Sequence, residues 1–291
     1  MSLVESGHSS RAVSLAALFD GLEATATNPG LDVRDIAERI VVGGWPALQA
    51  RDPADAIVAT QGYLDETRLI DLGRLDGPTR DPENVARVLR SLARNTATEA
   101  SASTIAADVS GAEQAINYHT VIDYVQALTR VFIVEDLPAW SPALRSRGVL
   151  RKAVTRHFVD PSLAAAALGA GVDRLLGDPE TLGLLFESLV IRDLRVYAQS
   201  LDAKLSHYRE AKGVEADAIL ELRDGRWAGI EVKLGPSKVD EGAANLVRMA
   251  SHVDVAKHGE PAFLAVVTGW GYAYRRKTDG VHVIPIGALG P

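Results

Sequence analysis

Apolar residues first recur at helical spacing near residue 33, where Val33, Ile36 and Ile40 precede the paired glycines Gly43 and Gly44. A second helix is predicted from Asp52 to about Leu69, with Pro53 in its first turn and Ile57, Leu64 and Leu69 on its apolar face. Gly73, Gly77, Pro78 and Pro82 then crowd too closely for a regular element, which closes a mostly helical segment at 1–78. Three short amphipathic helices follow in "PENVARVLRSLARN", "SASTIAADVS" and "NYHTVIDYVQALTRV", and then two runs of strand formers, "FIVEDLP" and "AVTRHFVD". From residue 161 the pattern changes again. "PSLAAAALG" and "DPETLGLLFESLVIRDLRVYAQSL" read as helices, the longer one with Leu182, Leu185, Phe186, Leu189 and Val190 as its stripe. Strands are predicted at "KLSHYRE", "EADAILEL" and "WAGIEVKL", a helix at "EGAANLVRMASHV", and closing strands at "AFLAVVTG" and "GVHVIPI". This order predicts a multi-domain α/β chain: a helical part at 1–78, a winged helix-turn-helix at 79–160, and a mixed sheet flanked by helices at 161–291.

Composition narrows the classes. The 291 residues are 47% hydrophobic, enough for at least one sizeable core, and no apolar run approaches the ~20 residues of a membrane span. The opening "MSLVESGHSS" lacks the basic and apolar regions of a secretory signal, so a cytoplasmic location and no membrane partner are expected. The absence of cysteine removes disulfides, thiolate nucleophiles and thiolate-bound zinc, and leaves oxygen or imidazole to hold any metal. The seven histidines show no paired metal spacing, and His207, His252 and His258 read as structural or solvent-facing. A net charge of -7 argues against constitutive coating of nucleic acid but leaves room for a local basic face.

The chemistry concentrates in "GRWAGIEVKLG". Alternation along a strand puts Glu231 and Lys233 on one face, away from Ile230, Val232 and Leu234, and predicts that acid and base look out together. Asp217 lies fourteen residues earlier on the preceding strand, across a turn whose Asp224-Gly225 pair is a strong hairpin signal. Glu187 sits on the helix that leads into the sheet. Three carboxylates and a lysine converging in this way suit hydrolysis of phosphodiesters with Mg2+ or Mn2+. Such ions take hard oxygen ligands and need few protein carboxylates, while the lysine stabilises charge beside the attacking oxygen. The predicted metal ligands are Asp217 and Glu231, and the predicted catalytic set adds Lys233 and Glu187. The competing reading is an exposed cross-strand ion pair worth ~0–1 kcal/mol.

Three helices and a two-stranded ribbon are the sequence of a winged helix, with the helix from about Tyr118 to Thr129 as the recognition helix and 131–157 as the wing. Arg145, Arg147, Arg151, Lys152 and Arg156 crowd that wing and would suit DNA phosphates. A solvated hairpin whose arginines contact nothing is the equal alternative.

At these residues the sequence resembles known families. The last ~125 residues look like the restriction-endonuclease-like fold, with Asp217, Glu231 and Lys233 matching its Asp, Glu-x-Lys core and Glu187 its acidic helix position. Residues 36–291 resemble the C-terminal portion of bacterial and archaeal AAA-type ATPases that end in a domain of unknown function. "VVGGWPAL", "YLDETRLIDL", "RHFVDPSLAAAALG", "GLLFESLVIRDL" and "GVEADAILEL" through "GIEVKLG" occur in the expected order. The resemblance implies a partner in an upstream ATPase domain or another protein, and makes 1–78 a remnant of the ATPase core and lid. No Gly-x-x-x-x-Gly-Lys-Ser/Thr occurs, so ATP hydrolysis by these residues is not expected, and "FIVED" at 132–136 reads as a wing strand. The expected function is a DNA-directed, divalent-metal-dependent nuclease-like domain; the alternative is a non-catalytic DNA-binding or partner-docking module.

Overall fold

A computed structural model describes residues 1–110, 116–141, 154–210 and 213–291. In chain order the elements are β1 Val13–Ser14, α1 Leu15–Phe19, α2 Val33–Val42, α3 Pro53–Glu66, α4 Pro82–Arg94, α5 Ala102–Val109, α6 Tyr118–Arg130, β2 Val134–Leu137 and β3 Thr155–Phe158. They continue with α7 Pro161–Leu168, α8 Val172–Leu176, α9 Pro179–Ser200, β4 Lys204–Arg209, β5 Glu215–Glu221, β6 Trp227–Lys233, α10 Val239–Ser251, α11 Val255–His258, β7 Phe263–Thr268, β8 Tyr274–Arg275, β9 His282–Pro285 and β10 Leu289–Gly290. The chain is thus mixed α/β. Among the described residues no helix is long and apolar enough to cross a membrane.

One local rule starts four helices. Asp52-Pro53, Asp81-Pro82, Asp160-Pro161 and Asp178-Pro179 each place an aspartate at the cap and a proline at the first helical position. Asp52 accepts from the Ala54 amide, Asp81 from those of Glu83 and Asn84, Asp160 from that of Ser162, and Asp178 from that of Thr181. Each aspartate satisfies an amide that the first turn leaves unpaired, and proline has no amide to leave unpaired.

The described residues form two compact units. One is mostly helical and takes the described residues within 37–136 and 153–188. In it α7 packs on α3 and α4, and α4, α5 and α6 pack together. β2 pairs with β3, and β3 also bridges to Thr98 through Arg156. Its tightest joint explains "VVGGWP". Gly43 has φ +68°, and a Cβ there would stand 2.4 Å from the Asp160 carboxylate and the Ser162 hydroxyl, so only glycine fits. The Gly44 amide then donates to Asp160 Oδ2 at 2.8 Å, and the Trp45 indole donates to Ser162 Oγ at 2.8 Å.

The other unit takes the described residues within 1–36, 137–152 and 189–291, and carries a six-stranded sheet in the order β4-β5-β6-β7-β9-β8. β4, β5 and β6 run antiparallel; β6, β7 and β9 run parallel, with α10 in the crossover between β6 and β7. Met249, Leu246 and Ala243 of α10 pack with Ile219, Trp227 and Val266 of the sheet. Full burial of side chains such as Leu246 and Met249 contributes about 1.5–3 kcal/mol each. β1 and β10 pair in parallel, joining residues 13–14 to 289–290.

These units cross-cut the segments 1–78, 79–160 and 161–291. α7, α8 and the start of α9 pack in the helical unit, because α7 is apolar on nearly every side and is covered there by α3 and α4. Residues 1–32 are less helical than expected: they hold one five-residue helix and a short strand, with Gly7, Gly21 and Gly30 at positive φ. The described residues of the expected wing, 131–141 and 154–157, also differ from a simple hairpin. After β2, residues 138–140 run along the free edge of β4: His207 N donates to Pro138 O at 2.9 Å, and Trp140 N to His207 O at 2.6 Å. Trp140 then packs 5.0 Å from Trp227 and donates to Glu221 Oε2 at 2.8 Å.

Candidate functional site

Strand β6 brings the acid and the base to one place. The β5–β6 register ends at the pair Ala218–Ile230, just before Asp217 and Glu231, and alternation along each strand puts these two carboxylates on the same face. Asp217 Oδ2 accepts the Val232 amide at 2.7 Å. Lys233 Nζ lies 3.0 Å from Glu231 Oε1, and Asn245 Nδ2 of α10 donates to the same oxygen at 3.4 Å.

The expectation that this face looks outward is overturned. Glu231 is only 1% exposed and β6 is buried on both sides. The reason is α10: its Gly242 approaches so closely that an added Cβ would be 3.2 Å from Glu231 Cγ and 3.3 Å from Lys233 Cγ. Lys233 stays half-buried, so the cluster is not an exposed ion pair.

Burial sets the electrostatics. Dehydration pushes the Asp217 carboxyl up to about 8, the Glu231 charge adds to the rise, and the Val232 amide and Lys233 oppose it. Glu231 is also raised, by burial first, against the pull of Lys233 and Asn245. Burial works to lower Lys233, but the Glu231 and Asp217 charges outweigh it and its ammonium is held above its usual range. Glu231 Oε2 is buried without a hydrogen-bond partner among the described residues. An unmet buried acceptor costs about 1–3 kcal/mol, which makes that atom the unusual feature of the cluster.

Two stretches of the chain match known families. Residues 33–174 match the family model of a domain of unknown function, DUF8612, and residues 182–289 match that of a second, DUF4143. The second is typically associated with AAA-ATPase-like proteins. No curated protein and no solved structure matches the chain. The cluster of Asp217, Glu231, Lys233 and Asn245 falls wholly within the DUF4143 match.

The remaining expected residues lie elsewhere. Glu187 is half-buried on α9 in the helical unit. Among the described residues no group of three or more histidines and carboxylates is placed to hold a metal, so Asp217 and Glu231 stand as a pair. Arg145, Arg147, Arg151 and Lys152 lie outside the described residues. Arg156 is on β3 and pairs with Asp136 at 2.9 Å, beside a cavity of about 530 Å³ lined by Ile122, Val125, Gln126 and Arg130 of α6. Glu215, two positions before Asp217, reads from the sequence only as part of a polar strand edge, yet its charge raises both carboxyls of the pair. Sequence reasoning missed Arg248, which holds Asn245 at 3.0 Å. Spacing of three along α10 was the available signal for that contact.

Proposed function

We propose that the sheet unit is a nuclease-like domain that binds Mg2+ or Mn2+ and hydrolyses phosphodiesters of DNA. The observation that carries this reading is Glu231 Oε2, a buried carboxylate oxygen with no protein partner, on the strand beside Asp217. Two hard carboxylates are enough for such an ion when water and phosphate oxygens complete its shell, so the residues present fit it. Glu231 would hold it through Oε2 and Asp217 through Oδ1, since the Val232 amide holds Oδ2. When bound, the ion polarises the phosphate and acidifies an attacking water. Lys233 keeps a full positive charge 3.0 Å from Glu231, its side chain 21% exposed, where it orients a phosphate oxygen and offsets developing negative charge. Because Asp217 holds its proton to about 8, binding the cation near neutral pH releases a proton.

The helical unit supports the DNA part of the reading through the succession α4, α5, α6, β2 and β3, which is the order of a winged helix with α6 as its recognition helix. The association of DUF4143 with AAA-ATPase-like proteins supports an ATPase partner domain. A second reading, a non-catalytic DNA-binding or partner-docking module, draws on the two-carboxylate count among the described residues.

Titration calorimetry with Mn2+ on wild type and Asp217→Asn, together with cleavage of a labelled duplex and of its single strand, tests the proposal. Wild type should bind and cleave, and Asp217→Asn should lose at least tenfold in affinity. Lys233→Ala should lower turnover while leaving Mn2+ affinity within a few-fold, because the lysine is not a ligand. Equal Mn2+ binding by wild type and Asp217→Asn would overturn the metal assignment, and DNA binding without cleavage would favour the docking module.

A further inference from the structure

The two oxygens of Glu231 are treated very differently by their surroundings. Oε1 has two donors, Lys233 Nζ at 3.0 Å and Asn245 Nδ2 at 3.4 Å, while Oε2 is buried and has none. What keeps the asymmetry in place is one turn further along α10. Arg248 Nη2 donates to Asn245 Oδ1 at 3.0 Å. Arginine carries donors only, so the Asn245 amide must turn its oxygen to Arg248 and its NH2 to Glu231. With the amide reversed, an acceptor oxygen would face the carboxylate and repel it.

We propose that Asn245 and Arg248 are positioning residues for metal binding: the Arg248–Asn245 relay clamps Glu231 Oε1, so that Glu231 meets a divalent cation through Oε2 alone. This rests on the metal-binding reading above. Neither residue touches the cation or the reacting atoms. The relay acts through Glu231, on a helix that Gly242 lets settle against β6. The other charges around the clamp are Asp217 and Glu215 on β5, Lys233 on β6 and Glu241 on α10. Among the described residues, the donor to Asn245 Oδ1 is Arg248, which therefore selects the amide's orientation.

Groups that orient a metal ligand typically change affinity by 10–100-fold when removed. The test is Mn2+ titration calorimetry on the full chain for wild type, Asn245→Ala, Arg248→Ala and Arg248→Lys, with urea unfolding of each in EDTA. Asn245→Ala should weaken Mn2+ binding about tenfold or more and Arg248→Ala about three- to tenfold. Arg248→Lys should recover most of the loss, since an ammonium also donates to Oδ1. Unfolding midpoints of the Arg248 variants in EDTA should stay close to wild type, because Arg248 is exposed. Wild-type affinity in Arg248→Ala, or a loss that tracks the unfolding midpoint and is not recovered by lysine, would overturn the inference while leaving the metal site standing. If wild type itself binds no Mn2+, the metal-binding reading fails and takes the relay with it.

Discussion

Asp193 and Glu231 are both buried carboxylates of the sheet unit, each beside a cation, and they are satisfied to opposite degrees. Asp193 Oδ1 accepts from Arg192 Nε at 3.0 Å and Nη2 at 2.7 Å; its Oδ2 accepts from the Leu3 amide at 2.9 Å and the Tyr197 hydroxyl at 3.3 Å. Glu231 has two donors on Oε1 and none on Oε2. Burial raises both carboxyls, but only at Asp193 do donors reach both oxygens. The first arrangement ties the N-terminal segment to α9, and the second leaves one carboxylate oxygen without a donor among the described residues. Burial of a charge is therefore a weak guide to function by itself.

The largest expected effect sharpens the structural side of this contrast. Asp193→Ala removes the shared acceptor of the Arg192 guanidinium, the Leu3 amide and the Tyr197 hydroxyl, and should cost about 3–5 kcal/mol in urea unfolding. A loss under about 1 kcal/mol would erase the distinction. An effect of opposite sign is expected at the cluster. In Asp217 the folded carboxyl, at about 8, holds its proton after the unfolded chain has released its own near pH 4. Unfolding then releases a proton, so stability falls as pH rises from ~4 to ~8 and levels above. Asp217→Asn keeps an acceptor for the Val232 amide and lacks that penalty. It should be level with wild type at pH 4 and more stable by several kcal/mol at pH 8, at about 1.4 kcal/mol per pH unit between the two values, read from unfolding curves at several pH values. A flat difference would mean that the carboxyl titrates normally. The smallest effect belongs to an exposed pair: a double-mutant cycle on Asp136 and Arg156 should give a coupling of about 0.2–1 kcal/mol.

Much of the cluster was legible before any coordinates. The Asp224-Gly225 turn set the hairpin, and alternation then aligned Asp217 with Glu231 and Lys233. The burial of that face was not legible, because it depends on how near α10 comes, and Gly242 has that meaning only once the helix lies over the strand. The apolar stripe of α9 was read correctly at Leu182, Leu185, Phe186, Leu189 and Val190. The division of that helix between two units was not, since its periodicity is unbroken where the packing partner changes. Residues 138–140 were hidden for a related reason: pairing with the edge of β4 is made through backbone groups, which every residue carries alike.

The parallel pairing of β1 with β10 also orders events in time. Val13 and Ser14 cannot find Leu289 and Gly290 until residue 290 has been synthesised, whereas every residue of the helical unit has been made by residue 188. At about 5–20 residues per second, the intervening ~100 residues take roughly 5–20 s. The helical unit therefore has that interval to fold on the ribosome before the last bridge of the sheet unit can close.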